Sequence, residues 1–241
     1  MVTTVLLVHA LGGTGRTTWR HVLPALPDRV RVLAPDLPRH GDGPRGGPVS
    51  MRACVDTVLA ALDEAGAERA VLGGYSLGGA VAQHLARAHP DRVSGLVLAA
   101  TSARLHRPTP VSQAFAAAEA AMAGVRRVGR TPPVRRAAGR LAGPLADDWL
   151  DSDPDVGLAY LPVLREHDAR PWVGDLAVPT AVVVTTRDVL VPPRSQLALA
   201  RATGATSDGR VERVAAGHGA CLIAPARFVP AFLRALDSVA P

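Results

Sequence analysis

The chain has 241 residues, 48% of them apolar, and a formal net charge of +6 whose cations are all arginine, since lysine and asparagine are absent. That length allows one well-buried α/β core and is short for two independent domains. Heavy alanine use and a single isoleucine, Ile223, read as the codon bias of a GC-rich genome, and with only 3% aromatic residues the positive charge does not argue for nucleic-acid binding.

Met1 to Val8 carries no basic leader and is too short an apolar run for a signal peptide or a membrane span, so a cytoplasmic location is expected. Val5 to Val8 suits a strand covered on both faces and ends in the glycine-rich loop His9-Ala10-Leu11-Gly12-Gly13-Thr14-Gly15. Trp19, Val22, Leu23 and Leu26 recur at helical spacing up to Pro27-Asp28. A second strand, Arg31 to Pro35, leads into a loop from Asp36 to Gly43 that is rich in Pro, Gly and Asp. Ser50 can cap a helix whose Val55, Val58, Leu59 and Leu62 share one face. Cys54 and Cys221 are too far apart to suggest a metal site or a disulfide framework, and no metal or other cofactor is expected.

The most informative stretch is Val71 to Gly79, Val-Leu-Gly-Gly-Tyr-Ser-Leu-Gly-Gly. A short apolar run ends in glycine, Ser76 lies between Gly74 and Gly78, and a helical pattern begins at Ala80. Strand, sharp turn and helix are implied, with glycines where a neighbouring Cβ would collide. The turn exposes the serine hydroxyl and places the Leu77 N–H at a helix N-terminus, which favours developing negative charge. A strand at Leu96 to Ala99 follows. Strict alternation of strands and helices predicts a doubly wound, mainly parallel sheet.

From 102 to 171 the alternation stops in favour of alanine- and arginine-rich helical runs broken by prolines, as expected of a helical insertion between core segments 1–101 and 172–241. The sheet rhythm returns with Ala181 to Val184, a helix from Ser195 to Arg201, a strand from Val211 to Val214 and a closing helix from Phe228 to Val239. Asp188 follows one of these strands and His218 the other. In a parallel sheet both would share an edge with the serine turn. A serine hydroxyl needs a base, and the base needs a group to fix its tautomer; Ser76, His218 and Asp188 supply the set. The structural alternatives are a turn serine, a capping aspartate and a loop histidine.

With these residues in view, the sequence resembles the α/β-hydrolase superfamily over nearly all of the chain outside the insertion. The carriers are the Val71 to Gly79 elbow, the Asp36 to Gly43 loop, the Asp188 segment ending in Pro192-Pro193, and Gly217-His218. The resemblance implies an α/β-hydrolase fold with a helical cap, with Ser76 as nucleophile, His218 as acid and base, and Asp188 as its orienting partner. It also implies the N–H groups of Leu77 and Leu11 as oxyanion donors. Ala10 stands where the family usually has glycine, and the first N-terminal hairpin of many members is missing. His9, Ala10, Trp19, Tyr75 and Trp149 are candidate substrate-pocket residues.

A serine at 76 argues against the aspartate-dependent epoxide hydrolases and dehalogenases, and the absence of lysine against the plant hydroxynitrile lyases. Ala80 replaces the arginine of the menaquinone-pathway lyase. Hydrolysis of a small to medium, largely apolar carboxylic ester, lactone or thioester is the expectation. A carbon–carbon bond hydrolase or lyase of the same fold, or a non-catalytic member that only binds a small molecule, are the alternatives. Arg126, Arg127, Arg130, Arg135, Arg136 and Arg140 crowd part of the insertion, either as a solvated face or as a dock for an acidic carrier protein or an anionic substrate tail. Glu166-His167-Asp168 reads as solvated helix surface.

Overall fold

The computed structural model describes residues 3–105, 110–142, 150 and 152–240. In chain order the main elements are β1 (Thr3–Val8), α1 (Gly15–Trp19), β2 (Val30–Leu33), α2 (Met51–Glu64), β3 (Ala70–Tyr75), α3 (Leu77–Ala88) and β4 (Val93–Ala99). Next come α4 (Pro110–Gly129), α5 (Pro132–Ala142), α6 (Val156–Ala159) and α7 (Leu161–Glu166). The chain ends with β5 (Thr180–Thr185), α8 (Pro193–Ala202), β6 (Val211–Val214), α9 (Ala220–Ile223) and α10 (Pro225–Asp237). Among the described residues the strands form one sheet in the order β2-β1-β3-β4-β5-β6, every pair parallel. All strand C-termini therefore open on one edge, and β1 and β3 flank the point where the winding reverses, which is where such sheets hold ligands.

The central strands are apolar along most of their length because both faces are covered. Leu6, Val8, Leu72, Leu98 and Val182 pack with Val58, Leu62, Val81 and Leu199 on one face, and Val5, Leu7, Val71, Val97 and Val183 pack with Trp19, Phe228 and Phe232 on the other. Period-two alternation sends successive residues of each strand to opposite layers. Gly73 marks a close approach of the layer to the strand: a Cβ there would stand 2.6 Å from the Leu7 side chain and 2.8 Å from the Phe232 ring.

Three expectations shift. The helical spacing from Trp19 to Leu26 breaks into α1 and a single 3-10 turn at Leu23–Ala25, where Pro24 has no N–H to continue an α-helix. The closing helix starts at Pro225, whose missing N–H costs nothing in a first turn. The solvated-surface reading of Glu166-His167-Asp168 fails at its middle residue: α7 ends at Glu166, and His167 is 1% exposed. Its Nε2 donates to the Ser102 carbonyl at 3.1 Å while Nδ1 accepts from Nε2 of His84 at 3.2 Å. That chain, with Ala169 N–H donating to Ala103 O at 2.7 Å, ties the end of the helical arm to α3 and β4.

Candidate active site

Ser76 sits between β3 and α3 with φ 53° and ψ −113°, a left-handed conformation strained for a residue with a side chain. The flanking glycines make it possible. A Cβ on Gly74 would stand 2.5 Å from the Gly78 carbonyl oxygen, and one on Gly78 would stand 2.1 Å from that of Val8. Here α3 meets β1 and β3 backbone against backbone. The Ser76 N–H donates to Ala99 O at 2.9 Å, holding the turn to β4.

The loops after β5 and β6 bring two side chains to this hydroxyl. His218 Nε2 lies 2.9 Å from Ser76 Oγ, and its Nδ1 lies 2.7 Å from Asp188 Oδ2. Asp188 is 3% exposed and accepts from the Leu190 and Val191 N–H groups, each at 2.9 Å on Oδ1. On Oδ2 it also accepts from the Thr185 hydroxyl at 2.8 Å and the Gln196 amide at 3.3 Å. Gln196 spans the space between strand and loop: its Nε2 donates to Thr185 Oγ1 at 2.8 Å and Val191 O at 2.7 Å, and its Oε1 accepts the Thr185 N–H at 3.0 Å. With the carboxylate so held, Nδ1 of His218 carries the ring proton and Nε2 presents a lone pair to the serine.

Leu77 is the first residue of α3, so its N–H has no acceptor within the helix. Leu11 lies in a tight turn after β1 that Gly13 N–H closes on Ala10 O at 3.1 Å. Ala10 is not among the residues of positive φ; the left-handed position is Gly12, at 74°. The alanine therefore needs no glycine backbone.

The side chains of His9, Trp19 and Tyr75 lie in the interior, at most 1% exposed. Trp19 and Tyr75 belong to the layer of Phe228 and Phe232, because Tyr75 continues the Val71–Gly73 face of β3. The Tyr75 hydroxyl donates to the His218 carbonyl. His9 Nε2 accepts the Leu37 N–H at 2.9 Å. Ala10 keeps partial exposure, and Trp149 lies outside the described residues. Arg126 corrects the solvated reading of the arginine cluster: it is 2% exposed, with Nη1 3.4 Å from Pro154 O and Nη2 facing Gly12. Arg127, Arg130 and Arg136 are exposed; the side chain of Arg140 lies outside the described residues.

Thr185 and Gln196 escaped the sequence analysis. Thr185 ends a strand three residues before the aspartate, a position that could have been weighed, whereas nothing in the sequence marks Gln196 among helical polar residues. Among the described residues no cluster of three or more His, Cys, Asp or Glu could hold a metal ion, and no helix is long and apolar enough to cross a membrane.

Comparison with known proteins places the fold. The family model described as alpha/beta hydrolase fold matches residues 3–141. A pimeloyl-[acyl-carrier protein] methyl ester esterase of Neisseria meningitidis serogroup A is 33% identical over 202 residues, 79% of this chain and 63% of that protein. The chain thus spans somewhat under two thirds of that relative's length. A thermophilic esterase from Thermogutta terrifontis superposes with TM-score 0.73 at 28% identity, covering 99% of this chain and 91% of that one. The enol-lactonase from Burkholderia xenovorans LB400 superposes with TM-score 0.79 at 24% identity, covering 98% and 92%, a likeness of fold.

Proposed function

We propose that this chain, which belongs to the alpha/beta hydrolase fold family, is a serine hydrolase that cleaves carboxylic esters through an acyl-enzyme. The observation that carries the reading is the unbroken relay from Ser76 Oγ to His218 Nε2 at 2.9 Å and from Nδ1 to Asp188 at 2.7 Å.

Ser76 Oγ bonds to the ester carbonyl carbon as its proton passes to His218 Nε2, and the carbonyl oxygen becomes an oxyanion on the N–H groups of Leu77 and Leu11. Collapse breaks the bond to the alkoxy oxygen, which leaves with the proton from His218. Water, deprotonated by the same nitrogen, then releases the acid. Asp188, fixed by four donors besides the imidazole, keeps the ring in its working tautomer.

Residues 102–171 act as a cap that selects the acyl group, small to medium and largely apolar. The named relative's substrate is a carrier-protein ester, and exposed Arg127 on α4, Arg130 in the turn after it and Arg136 on α5 supply charge for an acidic carrier.

Labelling with a fluorophosphonate tests the reading: wild type labels quickly, and Ser76→Ala loses both labelling and turnover of p-nitrophenyl esters, with kcat down by roughly 10⁴- to 10⁶-fold. A wild type that resists the probe while binding ligands would mean a binding protein instead. If a carrier docks on the arginines, turnover of a carrier-bound ester drops steeply with salt while that of a free ester does not.

A further inference from the structure

We propose that His40 is a positioning residue of the oxyanion loop: its Nε2 accepts the Gly12 N–H at 3.1 Å and so fixes the turn that presents the Leu11 N–H. The inference rests on the serine-hydrolase reading and extends it to a residue remote from the triad in sequence.

The turn Ala10 to Gly13 is closed by its outer residues, with Gly12 at φ 74° in its third position. In such a turn the N–H groups of the two central residues lie outside the hydrogen-bonded ring and are free to engage something else. One belongs to Leu11 and the other to Gly12. Holding the second fixes the peptide plane joining the two residues, and with it the direction of the first.

His40 is suited to that task in one protonation state only. Its Nδ1 lies 3.1 Å from the Pro38 carbonyl, which can only accept, so the proton sits on Nδ1 and Nε2 is a lone pair. The ring is fully buried, and burial, with His9 alongside, holds it well below the usual imidazole range. His9 returns the arrangement: its Nδ1 donates to Ala10 O at 2.7 Å and its Nε2 accepts the Leu37 N–H. Each loop lends an imidazole to the backbone of the other, the rings meeting edge to face at 4.7 Å. Asp36 fastens the far end by accepting the Gly15 N–H at 2.7 Å.

The test compares two near-isosteric variants, His40→Gln, which keeps an acceptor for Gly12, and His40→Met, which does not, with His40→Ala as a second variant lacking one. kcat and KM are measured on a p-nitrophenyl ester, together with Ki for a trifluoromethyl ketone whose tetrahedral adduct places an oxyanion on the same donors. Loss of a whole oxyanion donor costs roughly 100- to 1000-fold. A misdirected one should cost less, so Met and Ala lower kcat by about 10- to 100-fold and weaken the ketone by a similar factor, with KM within about twofold. Gln recovers most of both. Wild-type kcat in Met or Ala, an unchanged ketone Ki, or a Gln variant no better than Met would overturn the proposal. Full turnover in Ser76→Ala would instead overturn the serine-hydrolase reading itself.

Discussion

The hydroxyl of Tyr75 donates to the backbone carbonyl of His218 at 2.6 Å. The residue before Ser76 thereby holds the loop of the histidine that faces its hydroxyl, and burial pushes the phenol above its ordinary range, so it stays a donor. Tyr75→Phe keeps the ring among Trp19 and Phe228 and removes this bond together with the hydroxyl's contact with the Cys221 thiol. We expect a stability loss of about 1–2 kcal/mol in urea melts and a severalfold fall in kcat. An unchanged midpoint would show that the bond carries no weight.

The Thr185 hydroxyl is shared between Asp188, to which it donates, and Gln196, from which it accepts. Thr185→Val removes both bonds at constant shape and is expected to cost about 1–3 kcal/mol of stability and lower kcat about tenfold, whereas Thr185→Ser stays near wild type. Equal kinetics for Val and Ser would mean that the backbone N–H groups and the Gln196 amide orient the carboxylate without the hydroxyl.

Gly78→Ala would set a methyl group 2.1 Å from a carbonyl oxygen of β1. Neither partner is a flexible side chain, so α3 must shift at its first turn. A stability loss of about 3 kcal/mol or more is expected, with Ser76 displaced and ester turnover lost. A variant melting like wild type and labelling at its rate would contradict this packing.

Acid should destabilise the fold through its histidines. Burial, then the charges of His167 and Arg87, bring His84 down to about 4, and burial also lowers His9, His40 and His167. A histidine with a depressed folded pKa gives its full contribution above about pH 6.5, the unfolded value, and loses it as pH falls towards the folded one, because the unfolded chain takes up more protons. The thermal midpoint should therefore drop between pH 7 and 4.5. His84→Gln, whose amide can still donate to His167, should show a shallower drop; the same slope as wild type would place the acid sensitivity elsewhere.

The elbow was legible because its constraint is local: glycines two residues either side of Ser76 answer to backbone contacts that a Cβ would violate. Asp188 and His218 could be named because a parallel sheet gathers the loops that follow its strands. The burial of His9, Trp19 and Tyr75 was not legible, because nearness in sequence to a loop or to Ser76 says nothing about which face a side chain takes. Arg126 and His167 looked solvated because polar runs usually are; each is buried by partners far along the chain, Pro154 for one and His84 and Ser102 for the other. Gln196 and His40 act through contacts across loops, and no spacing announces those.

The Pro38 carbonyl accepts from two sources at once, Nδ1 of His40 and the hydroxyl of Tyr160, the latter at 2.9 Å. Tyr160 belongs to the arm proposed to select the acyl group, so on that proposal selectivity and turnover are wired through one oxygen. A chimera that grafts another protein's arm onto this core without that tyrosine would inherit a new preference together with a slower enzyme.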